Sequence, residues 1–179
     1  MKYIINEHQY NLLLEQDILK VPFVAFGNDW DVLQRFLERR GNPPYEIMDD
    51  LVLFGTKIQS LGNLISVGGY LDLFGVKIES LGNLISVGGY LNLLFSEIKS
   101  LGSLTSVGGD LFLGNSKIES LGNLTSVEGY LDLAGSKIED LGNLTSVGGN
   151  LMLRNTPLSE KYTREEIRSM VEVGGEIYL

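Results

Sequence analysis

The fold is decided by a phrase that the chain repeats: residues 71–90 read LDLFGVKIESLGNLISVGGY and residues 131–150 read LDLAGSKIEDLGNLTSVGGN. Written in rows of twenty, residues 51–150 give five complete units. Leu returns to the first, third, eleventh and fourteenth places, Ile to the eighth, Val to the seventeenth, and Gly to the twelfth and nineteenth. A fixed period of this length predicts a solenoid, in which each turn buries its apolar side chains against its neighbours.

The leucines at the first and third places predict a strand in every unit. Leu71 and Leu73 alternate with Tyr70, Asp72 and Phe74, which is the pattern of a strand with one buried face. Stacked units therefore predict a parallel β-sheet on one face of the solenoid. The remaining apolar places are expected to fill the same interior from the return path, with glycines at the corners.

The N-terminal residues 1–46 do not repeat, and they predict a small α/β cap over the first turn. A strand is expected near residues 2–5, followed by a helix capped by Asn6. A second strand is expected over residues 18–26, where Pro22 favours a sheet edge. Asp29 then caps a stronger helix that ends at Gly41. A docking module for a partner is the alternative role of this region.

The solenoid is predicted over residues 47–156 and a C-terminal cap over residues 157–179. Thr163 and Glu166 form a capping box that begins a short helix, and Ile167, Met170 and Val171 fall at helical spacing. Residues 173–179 then repeat the V-G-G-x-L-x-L phrase with one further strand. This ending predicts a closing turn, because a bare solenoid end exposes both its core and a strand edge.

The phrase L-x-L-x-x-x-x-I-x-x-L, as in Leu131, Leu133, Ile138 and Leu141, resembles the leucine-rich-repeat family in a short 20-residue form. The resemblance implies that the strands line a concave face that binds protein partners. The family usually places Asn at the sixth place, where this chain has Thr, Val or Ser, so another right-handed β-helix stays open as the alternative fold. The segments SLGNLTSVGG and NTPLSEKY also resemble sequences of uncharacterised repeat proteins of bacteriophages and their bacterial hosts.

Composition excludes several classes of function. The chain of 179 residues has no Cys, a single His8 and a formal net charge of −9. Disulfides and Cys-based zinc sites are therefore excluded, and neither a metal site nor a cofactor is expected. A nucleic-acid binder needs clustered Lys or Arg, which an acidic chain does not supply. No apolar run reaches the roughly 20 residues of a membrane helix, so a cytoplasmic protein with no membrane contact is expected.

The strand face supplies the candidate partner-binding residues. Its outward places carry aromatic and acidic or amide groups, and Tyr offers a large contact area at low entropic cost. The candidates are Tyr70, Tyr90, Tyr130, Asp72, Asp110, Asp132, Asn92, Phe112, Phe54 and Phe74. The alternative is that the aromatic rings only stabilise one another up the sheet. No catalytic residue is proposed, since Asp72 and Asp132 are marginal for a paired-carboxylate mechanism.

Charge reversals in the third unit predict contacts between turns. The seventh place reads Lys in four units and Glu97 in the third, while Lys99 stands at the ninth place where other units have Glu or Gln. The reversal places opposite charges on adjacent turns, which is typical of a solvated, self-compensating face.

These observations favour a non-enzymatic protein-binding module: a rigid acidic solenoid, monomeric, that recognises a partner with a basic surface through its strand face. If the chain is phage-encoded, the host cytoplasm or the virion is its expected location. A structural, self-associating or virion-associated component is the second hypothesis. A carbohydrate-active β-helix enzyme is the third and least supported.

Overall fold

The computed structural model of the protein describes residues 18–179. Within that range the chain forms a β-solenoid with two parallel sheets and few helices, which confirms the predicted repeat-solenoid fold. The strand expected at residues 2–5, the helix capped by Asn6, and His8 lie outside the described residues.

The first sheet, called here the Leu sheet, is the one that the sequence predicts. Each strand starts at the first place of a unit, and its register advances by one unit per turn, with Leu71 opposite Leu91 and Leu131 opposite Leu151. Within residues 18–179 it has seven parallel strands: Leu51–Val52, Leu71–Asp72, Leu91–Asn92, Leu111–Phe112, Leu131–Asp132, Leu151–Met152 and Ile177–Tyr178.

The second sheet, called here the Val sheet, was not predicted. It runs along the return path, where the repeated Ser-Val pair forms a short strand before two residues that are mostly glycine. The described residues contribute eight parallel strands: Leu19–Val21, Tyr45–Ile47, Leu64–Val67, Ser86–Val87, Ser106–Val107, Ser126–Val127, Ser146–Val147 and Glu172–Val173. Two-residue strands beside glycines give too little alternation for a pattern-based prediction.

The core is one continuous apolar column that runs the length of the solenoid. In the turn 71–90 the inward places are all at most 1% exposed: Leu71, Leu73, Val76, Ile78, Leu81, Leu84 and Val87. Full burial of one such side chain contributes roughly 1.5–3 kcal/mol, so most of the stability lies in residues that hardly vary between units.

The sixth place is buried in every turn after the first and holds hydroxyl side chains or Val76 instead of the asparagine of the leucine-rich-repeat pattern, whereas Thr56 in the first turn is exposed. Thr56 Oγ1 and Thr156 Oγ1 each donate to the carbonyl of the third place in their own turn, over 2.6 and 2.7 Å. Among the described residues, the Oγ atoms of Ser96 and Ser136 are buried with no hydrogen-bond partner. The sixth place therefore carries no ladder of asparagine side chains.

The N-terminal part differs from the prediction at residues 18–26. The strand ends at Val21, and a 3-10 helix follows over Phe23–Phe26. Pro22 has no N–H for a ladder, and the Asp49 carboxylate accepts from the N–H groups of Phe23 and Val24 at 2.9 and 3.4 Å.

The next helix begins as predicted. Helix α1 spans Trp30–Glu38, and the Asp29 carboxylate accepts from Val32 N at 3.0 Å. Trp30, Leu33 and Leu37 are buried against the first turns.

The C-terminal part contains one helix that was predicted and one that was not. Helix α2, Pro157–Lys161, is an addition that begins in a capping box between Thr156 and Ser159. Helix α3, Arg164–Met170, begins in the predicted capping box of Thr163 and Glu166. Ile167 is buried, whereas Met170 is 48% exposed, so Met170 does not belong to the apolar side expected of it.

Between adjacent turns, the predicted charge contact is present: Lys117 Nζ forms an ion pair with the Glu97 carboxylate. This pairing lowers the pKa of Glu97 below its usual range. None of the helices in residues 18–179 is long and apolar enough to cross a lipid bilayer.

We expect Ser136→Ala to raise the free energy of unfolding by about 1 kcal/mol, because it removes a buried hydroxyl that has no partner. Thr156→Val is the control, since it removes a hydroxyl that donates to Leu153 O and caps α2, and it should lower that free energy by about 1 kcal/mol. Chemical denaturation of both variants checks the pair. Equal destabilisation by the two variants would contradict the assignment.

Candidate protein-binding face

The candidate site is the outer surface of the Leu sheet, and its most regular feature is a column of aromatic rings. Tyr70 and Tyr90 come just before the first place of successive strands, and their rings stack at 4.5 Å between centroids with 7° between planes. At the next turn the equivalent place holds Asp110, and the neighbouring Phe112 continues the column. Its ring lies 6.4 Å from Tyr90 and 6.1 Å from Tyr130. We call Tyr70, Tyr90, Phe112 and Tyr130 the aromatic column.

A second group of rings lies at the corner where each strand ends. Phe54 and Phe74 are 5.6 Å apart between centroids, and Phe74 and Phe95 are 5.7 Å apart in an edge-on arrangement. Phe54 and Phe95 are 59% and 56% exposed. We call these three residues the corner aromatics. The structure thus divides the predicted aromatic candidates into two groups on one face.

Phe95 is a surface residue that the sequence pattern alone did not single out. It occupies the fifth place, where other turns have Gly or Asn in a left-handed conformation, and its own φ is +59°. A bulky side chain in that region costs roughly 1–2 kcal/mol. The signal was present in the sequence, because the third unit reads LNLLFS where the second reads LDLFGV. Such strain in an exposed aromatic residue points to selection for something other than stability.

The polar candidates at the second place shape the corner of the turn. Asp72, Asn92 and Asp132 each accept, through Oδ1, from the N–H two residues further on, at 3.0, 3.2 and 2.9 Å. This is the Asx turn, which fixes both the side chain and the backbone that follows.

Asp110 links two turns. Its Oδ1 accepts from Tyr130 N in the following turn at 2.7 Å, and Asp50 accepts from Tyr70 N at 3.1 Å in the same way. Asn150 repeats the contact with Glu176 N at 2.8 Å. The acidic and amide groups of the face therefore bond the backbone of the next turn while they face outward. These hydrogen bonds fix the positions of their side chains.

The glycine at the nineteenth place makes the Asp110 contact sterically feasible. A Cβ built on Gly129 would collide with Asp110 Oδ1 and would lie 2.9 Å from Asp110 N. Gly69 and Gly175 stand in the same relation to Asp50 and Asn150. The invariant glycine and the polar residue of the preceding turn thus form one structural unit.

Two tyrosines of the column, Tyr90 and Tyr130, have a pKa raised above the ordinary value. Partial burial raises the pKa of the Tyr90 phenol, and the negative charge of Asp72 adds to the shift. For the pKa of Tyr130, burial again comes first and Asp132 second, while Arg154 opposes them. These two residues therefore present neutral hydroxyl groups beside carboxylates.

Asp72 and Asp132 are not placed to act together. The strands of Asn92 and Phe112 lie between theirs, so three turns separate the two carboxyl groups. At a spacing of about 4.8 Å between strands this is roughly 14 Å, beyond the roughly 5–9.5 Å of glycosidase pairs.

Comparison with known proteins gives no relative: no protein-family model, no curated protein and no solved structure matches the chain. The case for a function therefore depends on the geometry of the face.

We expect Gly129→Ala to lower the free energy of unfolding by about 1–3 kcal/mol, because the new Cβ must displace the Asp110 side chain and the backbone beneath it. The control is Gly75→Asn. Gly75 has φ +65° with nothing within 4 Å of a built Cβ, and Asn115 and Asn155 stand at the same place in other turns. Equilibrium denaturation compares the two. A tolerated Gly129→Ala variant would show that the turns are not in close contact at this place.

For Phe95→Asn we expect an unchanged or higher free energy of unfolding, because relief of the left-handed strain offsets loss of the contact with Phe74. Phe74→Asn makes the same chemical change at a place without that strain, and it should lower the free energy by about 1 kcal/mol. Thermal and denaturant unfolding of the two variants provide the measurement. A Phe95→Asn variant as unstable as Phe74→Asn would mean that Phe95 is retained for packing.

Proposed function

We propose that this protein is a non-enzymatic protein-binding module that recognises a partner with a basic surface through the outer face of the Leu sheet. The observation that carries the proposal is the aromatic column, held on a sheet whose register is fixed turn by turn and bordered by carboxylates that backbone hydrogen bonds orient. A rigid, pre-oriented surface loses little conformational entropy on binding.

Ring orientation favours a protein partner over a carbohydrate. A sugar packs its C–H face against the open face of an aromatic ring. Tyr70 and Tyr90 turn their faces toward each other, with 7° between the planes, and so present edges and hydroxyl groups. Ring edges and phenol hydroxyls suit the mixed apolar and polar surface of a protein, where Tyr is enriched at interfaces.

Charge favours a basic partner. Asp50, Asp72, Asp110 and Asp132 belong to this face, and Arg154 lies at its C-terminal end with its guanidinium 5.3 Å from the centre of the Tyr178 ring. Exposed ion pairs add little affinity each, so the carboxylates set orientation and association rate while the aromatic residues supply the binding energy.

The corner aromatics extend the same surface and add an anchor. Phe95 projects from a strained backbone at the edge of the face and is more than half exposed. We assign it to the binding surface together with Phe54 and Phe74.

The proposal includes an origin and a location. The unit L-x-L-x-x-x-x-I-x-x-L is the basis for a relation to leucine-rich repeats, although the sixth place and the second sheet depart from that pattern. The resemblance of the segments SLGNLTSVGG and NTPLSEKY to bacteriophage and bacterial repeat proteins favours a phage-encoded protein. Such a protein would bind a host protein or a virion protein, in the host cytoplasm or on the virion.

The test is affinity capture from the source cells with a variant that removes the rings and keeps the fold. Tyr70→Asn, Tyr90→Asn and Tyr130→Asn combined follow the chain's own precedent, since Asn150 occupies the same place and accepts from the next turn. We expect the wild type to retain a partner that the triple variant loses, with an association rate that falls as salt rises.

Two further variants sharpen the result. Phe95→Asn should weaken the same interaction without loss of stability. Ile85→Ala, at a 43% exposed residue beside the Val sheet, should leave it unchanged. Retention of the same partner by the triple variant, with its fold verified by circular dichroism, would contradict the proposal that the aromatic column anchors the partner.

A further inference from the structure

Successive turns of the Val sheet are joined by hydrogen bonds with a fixed direction. The N–H at the eighteenth place donates to the carbonyl at the seventeenth place of the turn before, as Gly148 N does to Val127 O at 2.8 Å and Gly174 N to Val147 O at 2.9 Å. The N–H at the nineteenth place donates likewise to its counterpart, as Gly175 N does to Gly149 O at 3.0 Å. At these two places each turn therefore offers carbonyl acceptors to the turn that follows, beside a third at the fifteenth place, where Thr145 O accepts from Glu172 N at 2.9 Å.

At the last described turn these two acceptors are occupied by a side chain. By register, Val173 O and Gly175 O are the equivalents of Val147 O and Gly149 O. Arg168 Nη1 donates to Val173 O at 3.1 Å and Nη2 donates to Gly175 O at 2.9 Å. The rigid fork of the guanidinium group thus supplies the two donors that the backbone of a next turn would supply.

Helix α3 holds Arg168 in place. The capping box at Thr163 fixes the start of the helix, and the neighbouring Ile167 is fully buried. The helix that is inserted into the last turn therefore directs the guanidinium at the sheet edge.

Among residues 18–179, the opposite end of the Val sheet is the strand Leu19–Val21, and it lacks the matching donors at the eighteenth and nineteenth places. Val21 pairs with Ile47 and so stands at the seventeenth place, which puts Pro22 at the eighteenth and Phe23 at the nineteenth. Pro22 has no N–H, and Phe23 N already donates to Asp49 Oδ1 at 2.9 Å. This edge offers neither of the two N–H groups that a preceding turn would accept.

We propose that Arg168 and Pro22 are locks on the two ends of the Val sheet that prevent a second copy of this chain from stacking end to end. The partner that these locks exclude is a second copy of the chain, because the strands of its end turn match the exposed edge strand in spacing and register. Unlocked ends would make a head-to-tail contact, which does not close and so grows into filaments. With both locks in place, the protein presents its faces as a single copy. This inference is independent of which face binds a partner.

The proposal is tested with variants that remove the two locks separately and together. Arg168→Met keeps side-chain length and removes both donors. Pro22→Ala is made in every case together with Asp49→Ala, so that it restores an N–H at the eighteenth place and also frees the Phe23 N–H at the nineteenth. Each variant alone has one open and one locked end, so we expect each to sediment as a single copy, like the wild type. An equimolar mixture should form a 1:1 complex through one junction, at a concentration where neither variant associates alone.

The double variant Arg168→Met with Pro22→Ala has both ends open and should form long assemblies, seen as a concentration-dependent rise of average mass in sedimentation and as filaments by electron microscopy. Arg164→Met with Pro22→Ala is the matched control, because Arg164 lies on the same helix and should leave the acceptor edge closed. If the double variant does not fold, the mixture of single variants still distinguishes locked from open ends.

A mixture that stays single-copy, with both components folded by circular dichroism, would overturn the proposal and leave Arg168 as a tie between α3 and the last turn. Stacking of the wild-type chain through these ends would overturn it equally.

Discussion

The structure depends on the close approach of successive turns at the nineteenth place. A Cβ built on Gly109 would lie 2.9 Å from both Gly89 C and Tyr90 N, which is closer than real side chains come to backbone. This contact, together with the hydrogen bonds on either side of it, fixes the register of each turn on the one before. Within residues 51–156 each residue then stacks on its counterpart twenty positions away, and equivalent side chains of successive turns form ladders on the surface.

Fixed register separates the places that the fold uses from those that vary. Apart from the sixth place, the inward places are Leu, Ile or Val in every turn of residues 51–150 and almost all are buried, so they specify a solenoid without specifying a task. The places that vary face outward from the Leu sheet and its corner, where Tyr, Asp, Asn and Phe alternate between turns. A recognition surface can change there without disturbing the core, because a ladder of stacked side chains tolerates different members.

The period, the inward residues and two helix caps were predictable because each depends on local chemistry: apolar spacing for the core, and Asp29 and Thr163 for the caps. The Val sheet was not, since most of its strands are a Ser-Val pair beside glycines without the alternating leucines of the Leu sheet, and they exist only through bonds to other turns. The roles of Asp110 and Arg168 were hidden for the same reason, because their partners lie in another turn or in the sheet edge beyond their own helix. The aromatic candidates were found by composition, but their division into a column and a corner group required the register of Phe112 and the conformation of Phe95.

The two kinds of candidate residue on the face differ in how freely they can change. Asp110 bonds Tyr130 N across a gap that only the glycine at the nineteenth place allows, so its carboxylate belongs to the fold before it belongs to any interface. Tyr90 has no such structural role, since Asp110 and Asn150 occupy the equivalent place in other turns. At this place a turn therefore carries either a polar side chain that bonds the next turn, as at Asp110 and Asn150, or a tyrosine ring, as at Tyr90. The composition of the face is thus decided turn by turn at this place, because each ring takes the position of one polar link between turns.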